Sequence, residues 1–179
     1  MSADTVGAGR PAIRTGRPEE WARLREIETE SEVLFTEIGI GPFTEDPDGD
    51  HFGRAAVVFV ADDPPVGFAC VDIVDGAAHV WQLSVLPSAG RRGIGTALME
   101  AVDRWAGANG FAAVTLTTFR DVAWNAPFYA RLGFEPFEDL TPELAVIRQH
   151  ERDIGDDDLG VRLAMRKQFA QAPGVTPGR

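Results

Sequence analysis

Residues 83–98 read LSVLPSAGRRGIGTAL, and the order of residue types in this stretch decides the fold class. Leu83, Val85 and Leu86 end an apolar run that Pro87 stops, because proline has no N–H to give a sheet ladder. The turn Gly90-Arg91-Arg92-Gly93-Ile94-Gly95 then enters a helix expected to begin at Thr96. Leu98, Ala101, Val102 and Trp105 recur there at helical spacing, with Glu100, Asp103 and Arg104 turned away and Asn109-Gly110 as the stop. A strand that feeds a helix through a glycine-rich turn belongs to an α/β architecture. It also presents unsatisfied N–H groups and the positive end of a helix dipole. Those groups suit a phosphate or pyrophosphate, and glycine keeps side chains from shielding the amides. Arg91 and Arg92 add positive charge beside them.

Two nucleotide-binding patterns fail at this turn. A P-loop needs Gly-Lys-Ser/Thr where this chain has Gly95-Thr96-Ala97. A dinucleotide fingerprint needs a third glycine at Leu98, and an acidic ribose partner after the next strand, which instead ends Thr117-Thr118-Phe119.

Working outward, Ala55–Ala61, Val66–Val74 and Ala78–Leu86 read as three strands joined by Asp62-Asp63-Pro64-Pro65 and Asp75-Gly76, an antiparallel meander. Ahead of them Ala12–Arg14 reads as a short strand and Pro18–Glu32 as an amphipathic helix with Trp21, Leu24 and Ile27 inward. Residues 36–53 are broken by glycine and proline and are expected to be irregular, as a lid or a plain connection. Downstream, Ala113–Phe119 is a buried strand, and Asn125 opens a helix through Tyr129 to Leu132 that Gly133 ends. An acidic loop at Asp156-Asp157-Asp158 precedes a last strand, Val161–Phe169. The expected fold is α/β (α+β), a mixed central sheet of six to seven strands flanked by helices in the order β-α-(α)-βββ-α-β-α-β. One domain spans 10–171 between loose tails at 1–9 and 172–179.

Composition narrows the function. The chain has 179 residues, 44% of them apolar, which is enough for one core. Its 28 acidic against 17 basic side chains give a net charge of −11, which argues against nucleic acid or an anionic membrane as partner. No run approaches the roughly 20 apolar residues of a membrane span, and MSADTVGAGR has no signal-peptide core, so a cytoplasmic location is expected. The single cysteine, Cys70, allows no disulfide framework, and three scattered histidines (His51, His79, His150) make no metal centre.

The run LSVLPSAGRRGIGTALMEAVDRWAGANGF, followed by a strand and then by NAPFYARLGF, resembles the GNAT superfamily of acyl-CoA-dependent N-acetyltransferases. The likeness is strongest over 77–137 and extends in element order over 12–170. One departure is Gly90, where the family pattern usually has Gln or Arg.

The resemblance implies acetyl-CoA as co-substrate and a strand before the turn that splays from its neighbour. Leu83, Ser84 and Val85 would then pair with the pantetheine arm, the Val85 N–H lying near the thioester carbonyl. It places Gly90, Arg91, Arg92, Gly93, Ile94, Gly95 and Thr96 around the pyrophosphate. Phe128 and Asn125 lie on the helix of Tyr129, with Asn125 either an N-cap or a CoA contact. Tyr129 matches the family's tyrosine acid, which protonates the departing thiolate. Related enzymes often carry a base four or six residues before Val85, at positions held here by Trp81 and His79. Trp81 cannot accept a proton, so His79 is the candidate, or solvent takes the proton directly. Gln82 would order a relay water.

Glu28, Glu32 and Glu37 either draw an ammonium group or form a solvated helix face. Trp81 and Trp124 either wall the acceptor side or pack in the core. The implied reaction is acetyl transfer to a primary amine of a small molecule, and a homodimer is the assembly the resemblance suggests. A protein N-terminus or lysine as acceptor, and a noncatalytic acyl-CoA sensor, are the alternatives.

Overall fold

Described by a computed structural model over residues 10–43 and 51–169, the chain forms β1 (Ile13–Thr15), α1 (Trp21–Thr36), α2 (His51–Arg54), β2 (Val57–Ala61), β3 (Gly67–Val74) and β4 (Ala77–Val85). It continues with α3 (Ile94–Ala108), β5 (Ala113–Phe119), α4 (Ala126–Arg131), β6 (Glu135–Pro136), α5 (Pro142–Asp153), α6 (Asp156–Leu159) and β7 (Arg162–Gln168). Both expected tails, and 44–50 of the irregular segment, lie outside the described residues. The strands make one mixed sheet in the order β1-β2-β3-β4-β5-β7-β6. β4 and β5 are parallel, and every other neighbouring pair is antiparallel.

Adjacent residues of β3 show how the layers stack, because successive side chains on a strand point to opposite faces. Phe68 meets Phe52 of α2 at a ring distance of 5.2 Å. A Cβ on Gly67 would lie 3.3 Å from Ile94 of α3. Helices α2 and α3 therefore cover opposite faces. α1 joins α2, since Ser31 reaches Ser84, the β4 residue paired with Phe68. The core between these layers includes Leu24 and Ile27 on one side, and Ile94, Leu98 and Val102 on the other.

Several boundaries differ from expectation, each for a physical reason. α1 runs a turn beyond Glu32 because Phe35 finds aromatic partners there. α3 starts at Ile94, two residues early, with Gly93 as its N-cap at φ +75°. Within 36–53, His51–Arg54 is a helical turn held by Phe52 against Trp21 and Phe68.

The largest departure is α5, which the sequence reading missed. Its buried residues, Leu144, Arg148 and Glu151, are spaced i, i+4, i+7, so two of three positions on its inner face are charged. Its cap also comes from far along the chain. The Asp75 carboxylate, in the β3–β4 turn, accepts from the Glu143 and Leu144 N–H groups at 2.9 and 3.1 Å. The run Asp156–Asp158 is helical rather than a loop, because Asp156 and Asp157 are drawn to Arg162 and Arg148 at 3.7 and 3.0 Å.

Candidate active site

β4 and β5 pair only at Ala78↔Val114, His79↔Thr115 and Val80↔Leu116, and separate beyond. The cause lies on the other edge of β4. Cys70 faces Gln82 while Val71 faces Val80, so Trp81 is an extra residue in a β-bulge. A bulge bends its strand and increases its twist. Trp81 is fixed there by stacking on His51 at 5.8 Å and standing edge-on to His79 at 5.2 Å.

Past the bulge, β4 is bonded on one side only. The Leu86 N–H donates to the Val66 carbonyl at 2.9 Å. Antiparallel alternation then turns the backbone of Ser84 toward β3 and that of Leu83 and Val85 toward the gap. Leu83 and Val85 thus turn their backbone groups to the gap. The Ser84 hydroxyl is buried on the α1 face, where it accepts from Gln82 Nε2 at 2.9 Å and lies 3.3 Å from the Ser31 hydroxyl.

Gln82 is engaged in that bond.

The gap opens onto a cleft of about 510 Å³ lined by Val85, Ala89, Gly90, Arg91, Gly93, Ile94, Gly95, Thr96, Ala123, Trp124, Phe128, Arg131 and Leu132. Its floor is the start of α3. The first helical bond there runs from the Ala97 N–H to the Gly93 carbonyl at 3.0 Å. Among the described residues, the N–H groups of Gly93, Ile94, Gly95 and Thr96 accordingly have no helical acceptor. Arg91 also turns left-handed, at φ +60°. Side-chain-free Gly95 leaves room for the Phe128 ring, which a Cβ would meet at 3.4 Å. Free amides, a helix N-terminus, Arg91 and Arg131 fit a pyrophosphate.

Eight of the fourteen expected catalytic and cofactor-binding residues line this cleft; His79, Leu83, Ser84, Arg92, Asn125 and Tyr129 do not. Asn125 holds the N-cap position by backbone alone, its carbonyl accepting from Phe128 and Tyr129, with no side-chain cap bond. Arg131 was missed. It lies one helical turn past Phe128, with its guanidinium 5.9 Å from that ring, and the i, i+3 spacing could have found it.

Tyr129 is 8% exposed, with ring contacts to Phe128 and Phe134. Burial pushes its phenol pKa upward despite the Arg162 charge, so it stays protonated at neutral pH. His79 is 1% exposed, with Nδ1 2.9 Å from the Thr115 hydroxyl. Burial lowers its pKa to about 4, only partly opposed by Glu151. At neutral pH it is an uncharged acceptor and a weak base. On α1, burial and then the neighbouring Glu32 raise Glu28 to about 7, with Arg25 pulling the other way. Glu28 is therefore no ordinary solvated carboxylate.

β5 beyond the split is held from the α1 face. The Thr117 hydroxyl donates to Glu151, which also takes Arg148 and, at 2.8 Å, Arg162. Arg148 forks onto Asp157 at 3.0 Å. No group of His, Cys, Asp and Glu able to hold a metal ion occurs among the described residues, and none of their helices is long and apolar enough to cross a membrane.

In fold, the chain is similar to the ribosomal-protein-S18-alanine N-acetyltransferase of Escherichia coli, with a TM-score of 0.68 and 18% identity over 93% of this chain and 99% of the other. The PaiA N-acetyltransferase of Thermoplasma acidophilum, solved with coenzyme A, matches at 0.63 and 18%, covering 90% and 100%. The N-acetylglutamate synthase of Neisseria gonorrhoeae, solved with coenzyme A and N-acetylglutamate, matches at 0.65 and 17% over 91% of this chain and 36% of that one. The model of the acetyltransferase (GNAT) family matches residues 18–134, well over half of the sequence, and the chain belongs to that family.

Proposed function

We propose that this acetyltransferase moves an acetyl group from acetyl-CoA to the primary amine of a small molecule by direct attack. The observation that carries this reading is the gap between β4 and β5, onto which Leu83 and Val85 turn their backbone groups, Val85 lining the same cleft as the start of α3. The pantetheine arm pairs with Leu83 and Val85. The pyrophosphate lies on the N–H groups of residues 93–96, with Arg91 and Arg131 beside it and Arg92 near the rim. The Val85 N–H donates to the thioester oxygen and holds the oxyanion that forms on attack.

The amine nitrogen bonds to the carbonyl carbon, the C–S bond breaks, and the thiolate takes the Tyr129 proton. The proton lost by nitrogen passes through neutral His79, or directly to water. His79 cannot store that proton, given its pKa of about 4. Cys70 is wholly buried in β3, which supports a route without a covalent enzyme intermediate. The reading includes a cytoplasmic setting and requires no metal.

The test is acetyl-CoA-dependent thiol release against pooled small amines and an N-terminal alanine peptide, with an amine-free control. Release is expected with a small-amine pool. Tyr129→Phe should lower turnover about a hundredfold while acetyl-CoA affinity stays within about twofold. Release with the peptide alone would make a protein the acceptor. No release despite acetyl-CoA binding would make the chain a sensor.

A further inference from the structure

Trp124 belongs to two neighbourhoods at once. Its indole lines the cleft, and its ring centre lies 5.5 Å from that of Phe35 near the end of α1. Phe35 stands 5.3 Å from Phe43 and 5.9 Å from Phe119, and the last two are 6.2 Å apart. Four rings from four separate segments therefore form one patch against the half of β5 that β4 has left. The patch is not simply core: Trp124 is 38% exposed, and Phe35 and Phe43 are partly exposed. Edge-on and tilted contacts leave ring faces available to another flat group.

The helix stripe beside these rings is acidic. Glu28, Glu32 and Phe35 fall at i, i+4, i+7 and share one side of α1. In the same turns Ser31 touches Ser84 of β4 while Phe35 touches Phe119 of β5, so this stripe bridges the gap between the strands. Two cations lie nearby. Arg25 acts on Glu28, and Arg162 stands 4.8 Å over the Phe119 ring with its charge met by Glu151 at 2.8 Å. The patch therefore combines apolar ring faces with a flank of two carboxyl groups, both raised in pKa by burial, that can accept a hydrogen bond from an amine.

We infer that the acceptor is an arylalkylamine in chemical class, its ring held against Phe35, Phe43, Phe119 and Trp124 and its nitrogen turned along the Glu28–Glu32 side of α1 toward the gap between β4 and β5. This rests on the acetyl-transfer reading and names its substrate class. The atom balance is unchanged: N–C forms as C–S breaks, the thiolate takes the Tyr129 proton, the proton lost by nitrogen passes to water, and water returns a proton to Tyr129.

The experiment compares 2-phenylethylamine with ethanolamine, by thiol release with acetyl-CoA and by calorimetric titration into the CoA-saturated protein. Phenylethylamine should have a kcat/KM at least about tenfold higher and bind at least about tenfold tighter, the scale on which an apolar pocket discriminates. Phe43→Ala should lower the phenylethylamine-to-ethanolamine ratio about tenfold, and Phe43→Leu should restore most of it. Equal rates and equal binding for the two amines would overturn the aryl pocket and leave the acetyl-transfer reading standing. Tighter phenylethylamine binding that Phe43→Ala abolishes, with no thiol release, would uphold the pocket and break the acetyl-transfer reading.

Discussion

The two halves of β4 carry similar residues and do different work. At Ala78–Val80 the strand is bonded to β3 on one side and β5 on the other, and its side chains are buried. At Leu83–Val85 it is bonded to β3 alone, and its free edge faces the cleft. Only Trp81, the bulged residue, and Gln82 lie between them. A single residue of register separates a stretch that stabilises the sheet from one able to bind an extended ligand, because the bulge bends β4 away from β5. β5 shows the same division: Thr115 closes onto His79, whereas Thr117, two residues on, is clamped by Glu151 from α5.

The strongest way to break this division is at the clamp. Glu151 is 8% exposed and carries Thr117, Arg148 and Arg162. Glu151→Ala removes the carboxylate that Thr117, Arg148 and Arg162 share, leaving Arg148 with Asp157 and Arg162 with Asp156, and should cost about 3 kcal/mol of stability by urea unfolding. A loss below about 1 kcal/mol would mean that the open half of β5 needs no buttress.

Next is the floor of the open half. Gly93→Val places a branched side chain at φ +75° beside the free amides. Acetyl-CoA affinity should fall at least about a hundredfold by calorimetry, or about 2.8 kcal/mol, with about 1–2 kcal/mol of strain added to the fold. Wild-type affinity would remove this turn from the CoA site.

In the closed half, Thr115→Val takes away the hydroxyl 2.9 Å from His79 Nδ1. It should cost about 1–2 kcal/mol in unfolding experiments and leave acetyl-CoA affinity as it was. A large loss of affinity instead would show that the halves are coupled.

The smallest effect concerns pH. A carboxyl pKa raised in the folded state stabilises fully below its unfolded value, and that contribution is lost as pH rises through the folded value. For Glu28 the window runs from 4.5 to about 7. Glu28→Gln should therefore match wild type near pH 4 and exceed it by on the order of 1 kcal/mol at pH 8, after discount for its partial exposure. A gap that does not grow between those pH values would place Glu28 in open solvent.

Much of this architecture is legible residue by residue. The meander, the glycine-rich turn and the Tyr129 helix have local causes: β-branched runs, Asp-Gly and Asn-Gly turns, and a 3.6-residue apolar period. What was misread has causes distant in sequence. α5 was missed because Arg148 and Glu151 occupy its inner face and Asp75 supplies its cap. At Ser84 the sequence marks a strand but not which backbone groups its neighbour β3 consumes. Asn125 suggested a side-chain cap, and the structure uses its carbonyl instead.

From the sequence alone came the three-strand meander, the glycine-rich strand-to-helix turn and the family, since each depends on neighbours a few residues apart. Tertiary structure alone decided where β4 leaves β5, which α1 carboxyl has its pKa raised most by burial, and that Phe35, Phe43, Phe119 and Trp124 meet. Those outcomes depend on register, burial and contact between segments as many as 89 positions apart in the chain, from Phe35 to Trp124. A linear pattern of residue types encodes none of these three quantities locally.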